Sequence, residues 1–342
     1  MKKVSIVILN WNGEKLLAEF LPSVIRYSSA PDVEIVVADN NSTDDSRNLI
    51  STNFPQIKII SLPENYGYAK GYNEALKQID AEYAVLLNSD VEVTENWLDI
   101  LLSFMEENKN VAAVQPKILS YRNREYFEYA GASGGYIDKY GYPFCRGRIF
   151  DTIEKDYGQY DDIRDVFWTS GACMMIRLSK FVEAGMFDSC FFAHMEEIDL
   201  CWRLNLLKNR LVCLPQSVVY HVGAATLNSD SPQKTFLNFR NNLLMLYKNL
   251  PEKELNRVLK VRLLLDYVAA LKMLLSGKAK NATAILKAHK EFNKMKKEYS
   301  SHGNKSDFNE DNNTLTTIYD HSILYAYYFQ KKKVFSKLRL NK

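Results

Sequence analysis

The feature that most constrains this chain is a rhythm in its first 115 residues. Short apolar runs rich in β-branched residues alternate with segments of helical spacing. Residues 3–9 (Lys-Val-Ser-Ile-Val-Ile-Leu), 34–39, 58–62, 82–87 and 111–114 read as buried strands. Residues 14–27 carry Leu16, Leu17, Phe20, Leu21 and Val24 at helical spacing, and residues 66–79 and 94–108 are helical too. Residues 41–44 (Asn-Ser-Thr-Asp) offer Ser42 or Thr43 as the cap of a helix ending near Thr52. Such alternation with short links predicts an α/β fold: a Rossmann-like, doubly wound, mostly parallel sheet. These sheets bind ligands beyond the carboxyl ends of their strands. The polar residues stand at those ends: Asn10, Asp39 and Asn88 to Asp90.

Residues 116–165 are less regular and rich in Gly and Tyr, which predicts loops and short antiparallel strands. A strand region follows at 166–177, helices at 179–184 and 196–207, and short strands at 211–214 and 217–221. Beyond residue 232 the pattern is helical over 234–249, 252–276 and 278–299. A polar loop at 300–313 and a final aromatic helix at 317–333 complete the reading.

Charge is uneven. Residues 251–342 hold 19 Lys/Arg against 9 Asp/Glu, a surplus of 10, whereas the rest of the chain is acidic by 7. The basic region has no nucleic-acid motif, so no nucleic-acid partner is expected. It suits either a helical cap packed on the rest of the chain or a peripheral contact with an anionic membrane. No uncharged apolar run of about 18 residues exists; the best stretch, 261–275, contains Arg262, Asp266 and Lys272. Asn10 to Gly13 cut the first apolar run too short for a secretion signal. Five cysteines without a Cys-x-x-Cys pair argue against zinc or a disulfide framework and for a reducing, cytoplasmic setting.

Four clusters carry possible chemistry. Asn88-Ser89-Asp90 ends a buried strand, where a carboxylate can hold a hard divalent cation, Mg2+ or Mn2+; the plain alternative is a polar turn. Asp39 can accept a hydrogen bond from a pyrimidine base, although capping explains most of its neighbours. Glu196, Glu197 and Asp199 open a helix, where carboxylates are favoured electrostatically and where a general base can meet a hydroxyl. Asp199 and Arg203 also have the spacing of an ordinary ion pair. His221 ends a strand and is either structural or a cation ligand.

The order and spacing of these segments resemble the family-two glycosyltransferases with the GT-A fold, closest to the rhamnosyltransferase-like subgroup. The residues that carry the likeness are Val4 to Gly13, Val36 to Ser46, Asn65 to Asn73, Leu86 to Asp90, Thr169 to Arg177, Gly185 to Asp188, Phe192 to Arg203 and Val219 to Gly223. The resemblance implies an inverting, metal-dependent transfer of a sugar from a dTDP- or UDP-linked donor to a glycan or lipid-linked acceptor, in surface polysaccharide synthesis at the inner face of the membrane. It implies that Asn10, Asp39, Asn65, Gly67, Lys70, Asn73 and Ser89 contact the donor. Asp90 and His221 would hold the metal, with Asn88 replacing the first Asp of an Asp-x-Asp motif. Glu197 would be the base, with Asp199 second, and Trp168, Ser170, Gly171 and His194 would face the acceptor. Residues 1–230 are then a catalytic domain, with a nucleotide-sugar half to about 115 and an acceptor half after it, and 231–342 a basic helical extension. The rivals are a nucleotidyltransferase, whose Gly-rich phosphate loop is missing from Asn10 to Gly13, and a nucleotide-sugar-binding module without turnover.

Overall fold

The computed structural model describes residues 1–223, 231–301 and 317–340. The first half follows the expected alternation: β1 (Lys2–Asn10), α1 (Glu14–Tyr27), β2 (Val33–Asp39), α2 (Ser46–Asn53), β3 (Lys58–Ser61), α3 (Gly67–Leu76), β4 (Ala81–Asn88), β5 (Val91–Val93), α4 (Trp97–Glu107) and β6 (Val111–Ser120). Alternation along β1 sorts its side chains to two faces. Val4, Ile6 and Ile8 pack with Leu17 and Leu21 of α1, and Val7 packs with Ala69 and Tyr72 of α3. Both faces are covered, which is why the strand reads as one apolar run.

The second half adds β7 (Gly135–Asp138), β8 (Pro143–Cys145), β9 (Arg148–Ile149), β10 (Thr152–Ile153), β11 (Arg164–Asp165), β12 (Cys173–Arg177), α5 (Leu178–Glu183), α6 (Glu196–Leu206) and β13 (Arg210–His221). The main sheet runs β3-β2-β1-β4-β12-β6-β13-β11, with β5 paired to β13. Strands β1 to β4 are mutually parallel, and β6 pairs parallel with β13. Strand β12 is antiparallel to both β4 and β6. Its reversed direction delivers residues 168–172 to the carboxyl end of β4, where Asn88 N donates to Ala172 O at 3.0 Å. The expected short strands at 211–214 and 217–221 are one strand with a register shift between Leu214 and Val218.

The C-terminal helices are α7 (Pro232–Asn249), α8 (Glu252–Leu275) and α9 (Ala279–Ser301). They are tied to the sheet domain by buried charge: Lys248 Nζ on α7 lies 2.9 Å from Asp199 and 2.7 Å from Asp188. The expected polar loop falls mostly on 302–316, outside the described residues. The expected helix at 317–333 is corrected. Ile318–Tyr319 form a strand, β14, paired with β7 in a second sheet of order β10-β9-β8-β7-β14, and the helical part is confined to residues 323–329, which end in a π turn at Tyr325–Phe329. Asp138 accepts the Ile323 N–H at 2.9 Å, and Tyr319 and Tyr327 pack on Phe144 and Phe150. Tertiary pairing overrides the local pattern here.

Candidate functional site

The sheet order reverses at β1, which pairs with β2 on one side and β4 on the other. The crevice beyond such a switch point is where open α/β sheets bind ligands. Asn10 is fully buried there and donates to Asp39 Oδ1 at 3.3 Å and Ser42 Oγ at 3.1 Å, while its own Oδ1 has no partner. Asp39 Oδ2 accepts from Arg47 Nε at 2.8 Å and Ser42 N at 3.2 Å, so the carboxylate is held in one orientation. Capping differs from the sequence expectation. Ser42 is a cross-link, receiving Asn12 N at 2.9 Å, and Asp44 accepts the Ser46 N–H that opens α2.

The segment from Asn65 to Asn73 runs along the same crevice. Asn65 Oδ1 accepts from Asn40 Nδ2 and Gly67 N, both at 3.0 Å. Gly67 has φ +71°, and a Cβ there would stand 2.6 Å from the Phe192 ring, so this position takes glycine for two reasons. Lys70 is at the surface, 3.6 Å from Glu64 and over the Tyr66 ring. Asn73 is committed to the fold: its amide donates to Phe187 O at 2.8 Å and accepts Phe187 N at 3.1 Å. Ser89 Oγ faces Gly13 across the crevice, 3.7 Å from where a Cβ would sit.

Strand β13 ends at His221, which pairs with Val91 and so stands beside Asp90. His221 Nε2 is 3.1 Å from Asp90 Oδ1, and Asn88 Nδ2 approaches the same nitrogen at 3.4 Å. His221 Nδ1 faces Glu128 Oε2 across 3.2 Å as an ion pair. Burial pulls the imidazole pKa down, but Glu128 and Asp90 outweigh it and push the value up to about 10. Burial raises Asp90, and His221 more than offsets that, leaving it below the usual carboxylate range. Asp90 Oδ1 and His221 Nε2 converge at 3.1 Å, and a carboxylate with an imidazole that gives up its Nε2 proton is a donor pair of the kind that holds a divalent cation. Among the described residues no group of three His, Cys, Asp or Glu is placed to hold a metal ion. Glu128, absent from the sequence candidates, is 5% exposed in an irregular segment. Its one signal was a lone acid between Phe127 and Tyr129-Ala-Gly131.

The loop before α6 is strained. Phe192, His194 and Met195 have φ of +64°, +70° and +72° without being glycine. Asn241 on α7 holds it by donating to the carbonyls of Phe191, Ala193 and His194 at 2.7–2.9 Å. Immediately afterwards come Glu196 and Glu197, each with a buried Oε2 that has no partner; His194 Nε2 is likewise buried and unpartnered. Burial raises the pKa of both acids, Glu197 to about 7, and lowers His194 to about 4 with Lys234 adding to the effect. Glu197 shares electrostatic neighbours with the His221 cluster, since Cys145 feels both Glu128 and Glu197.

Asp199, the second candidate base, is corrected. It is fully buried and saturated by Arg203 at 2.8 Å, Lys248 at 2.9 Å and Asn249 at 2.8 Å. Burial raises its pKa, yet Lys248 and Arg203 hold it below the usual range, and it braces α6 against α7. Of the residues expected to face an acceptor, Trp168 is buried, with its indole N–H on Tyr136 O at 3.0 Å. Ser170 is buried and donates to Ala130 O. Gly171 O receives Tyr68 O–H at 2.7 Å. Tyr68, another residue the sequence did not single out, thereby joins α3 to this loop and also feels Glu196 and Glu197.

A family model described as Glycosyl transferase family 2 matches residues 5–181. The chain belongs to that family. The glycosyltransferase is 26% identical over 243 residues to N-acetylglucosaminyl-diphospho-decaprenol L-rhamnosyltransferase of Mycobacterium tuberculosis, covering 66% of this chain and 78% of that protein. It is 28% identical over 232 residues to O-antigen biosynthesis protein RfbC of Myxococcus xanthus, covering 67% of this chain and only 18% of the longer relative. Its fold matches Staphylococcus aureus TarS 1-349 in complex with UDP-GlcNAc at TM-score 0.57 and 18% identity, over 85% of this chain and 80% of that one. The mannosyltransferase PcManGT of Pyrobaculum calidifontis, in complex with GDP-Man and Mn2+, matches at TM-score 0.52 and 13% identity, over 90% and 81%. The fold is GT-A, with added C-terminal helices.

Proposed function

We propose that this glycosyltransferase moves a sugar from a dTDP- or UDP-linked donor to a glycan or lipid-linked acceptor with inversion at the anomeric carbon. The observation that carries the reading is the pair Glu196 and Glu197 at the start of α6, each with a buried oxygen that has no partner and Glu197 poised at about 7. A general base works best with a pKa near the operating pH. In the reaction, Glu197 takes the proton of the acceptor hydroxyl. The hydroxyl oxygen attacks the anomeric carbon, and the bond to the nucleotide diphosphate breaks from the opposite face with its electron pair leaving on the diphosphate. Asn10, Asp39 and Asn65 shape the nucleotide end of the crevice, and Ser89 its floor. Trp168, Ser170 and Gly171 support the acceptor wall, and His194 faces it. A divalent cation, Mg2+ or Mn2+, held by Asp90 and His221 would neutralise the leaving diphosphate.

The relatives support the finer terms. The Mycobacterium tuberculosis protein is named for a lipid-linked acceptor, TarS was solved with UDP-GlcNAc, and PcManGT with Mn2+. In this reading residues 1–230 form the catalytic domain, residues 231–342 brace it, and the protein works on the inner face of a membrane. A panel of nucleotide sugars with Mg2+ or Mn2+, read by release of nucleotide diphosphate on acceptor addition, tests it. Donor-selective, cation-dependent release with an inverted product is expected. Failure to bind any nucleotide would overturn the reading.

A further inference from the structure

Helix α8 is inside out. Its inner face, Leu255, Val258, Arg262, Asp266 and Ala270, buries a charge pair. Arg262 bonds Asp266 at 3.3 Å, Tyr140 O at 3.0 Å and the side chain of Asn242. Asp266 also takes His289 of α9 at 3.0 Å and Tyr142 O–H at 3.2 Å. From residue 263 onward the outer face is apolar: Leu264, Tyr267, Val268, Leu271, Leu274 and Leu275 are 46–80% exposed, at the spacing of one helical stripe. The Tyr325–Phe329 turn extends the patch, since Tyr328 meets Lys272 of α8 and Tyr325, Tyr328 and Phe329 are exposed. A helix facing water puts its charges outward, and a contiguous exposed apolar patch marks an interaction surface.

The charge around the patch identifies the partner. Residues 267–290 hold five lysines and no acidic residue. Residues 321–340 hold four lysines, one arginine and no acidic residue. A second copy docking symmetrically would set this basic rim against itself, because a two-fold contact joins like patch to like patch. An anionic lipid surface complements both the rim and the stripe. Among the described residues no helix is long and apolar enough to cross a membrane, so the helix lies on the surface. We propose that the outer face of α8, with the Tyr325–Phe329 turn, seats the protein on an anionic bilayer, leucines in the acyl boundary and lysines among the headgroups. This deepens the membrane-side reading above by naming the face and the lipid chemistry.

The test uses the full chain, sedimented with vesicles of phosphatidylcholine alone or mixed with phosphatidylglycerol, at low and high salt. The wild type is expected to bind the anionic vesicles at least about tenfold more tightly than the neutral ones, with loss at high salt. The variant Leu264→Gln/Val268→Gln/Leu271→Gln changes only exposed positions. It should lose at least about tenfold of that binding while melting like the wild type. Wild type that ignores anionic vesicles overturns the proposal, as does a variant that binds them equally. A concentration-dependent dimer that the same variant abolishes, seen by light scattering, overturns it in favour of a second copy. Vesicle binding needs no turnover, so its failure leaves the transferase reading standing, and an inactive protein that binds vesicles leaves this inference standing.

Discussion

Two buried polar clusters sit about α7, and they are built on opposite rules. The cluster of Arg262, Asp266, His289, Tyr142 and Asn242 is saturated: each charged group has a partner of opposite charge or a hydrogen bond. Around Glu196, Glu197 and His194, each residue keeps a buried nitrogen or oxygen without one. Burying an unpaired polar atom costs about 1–3 kcal/mol, so a fold keeps such atoms where something other than stability selects them. The difference separates bracing from chemistry. Asp199 belongs with the first cluster although it lies two residues from Glu197.

The largest difference in behaviour is expected at Glu197. Glu197→Gln should lower kcat by roughly 10²–10⁴, the span of general-base catalysis, with donor affinity nearly unchanged in calorimetry. The same variant should be more stable than the wild type. A carboxyl whose folded pKa is raised from its ordinary value of 4.5 to about 7 binds more protons folded than unfolded, so it withdraws stability as pH rises between those values. The Tm gap between Glu197→Gln and wild type should therefore open from pH 5 to pH 8. Asp199→Asn should move Tm the other way, because it strips partners from Arg203 and Lys248.

In the saturated cluster, removing one partner should cost stability rather than chemistry. Asp266→Ala leaves Arg262 buried and uncompensated and should lose about 3–5 kcal/mol in urea unfolding. The pair Arg262→Met/Asp266→Leu should recover much of that loss. At the cation end, Asp90→Asn or His221→Ala should raise the Mn2+ concentration for half-activation by about 10- to 100-fold. Chelation should abolish transfer, and Mn2+ should restore it. The smallest effect is the pH profile: wild-type kcat/KM should rise with pH and level off above about 7, a limb absent in Glu197→Gln.

Much of the frame was legible in the chain. The strands of β1, β2 and β4 and helices α1 and α6 follow from apolar runs and helical spacing, and their carboxyl-end polar residues do meet at the switch point. What escaped depends on long-range pairing. The reversed β12, the second sheet and β14 are set by partners far along the chain, which local propensity does not register. Glu128 and Tyr68 have no motif and gain their places only when β13 and α3 dock. Asp199 and Glu197 share a helix turn and a chemistry, and only their partners distinguish them.

The most direct test is single-turnover transfer by Glu197→Gln, with donor binding measured on the same preparation. The account predicts a folded, donor-binding protein whose transfer step is slower by at least about 10². Transfer at the wild-type rate would contradict it, and would show that an unpartnered buried carboxylate at the start of α6 is not the base.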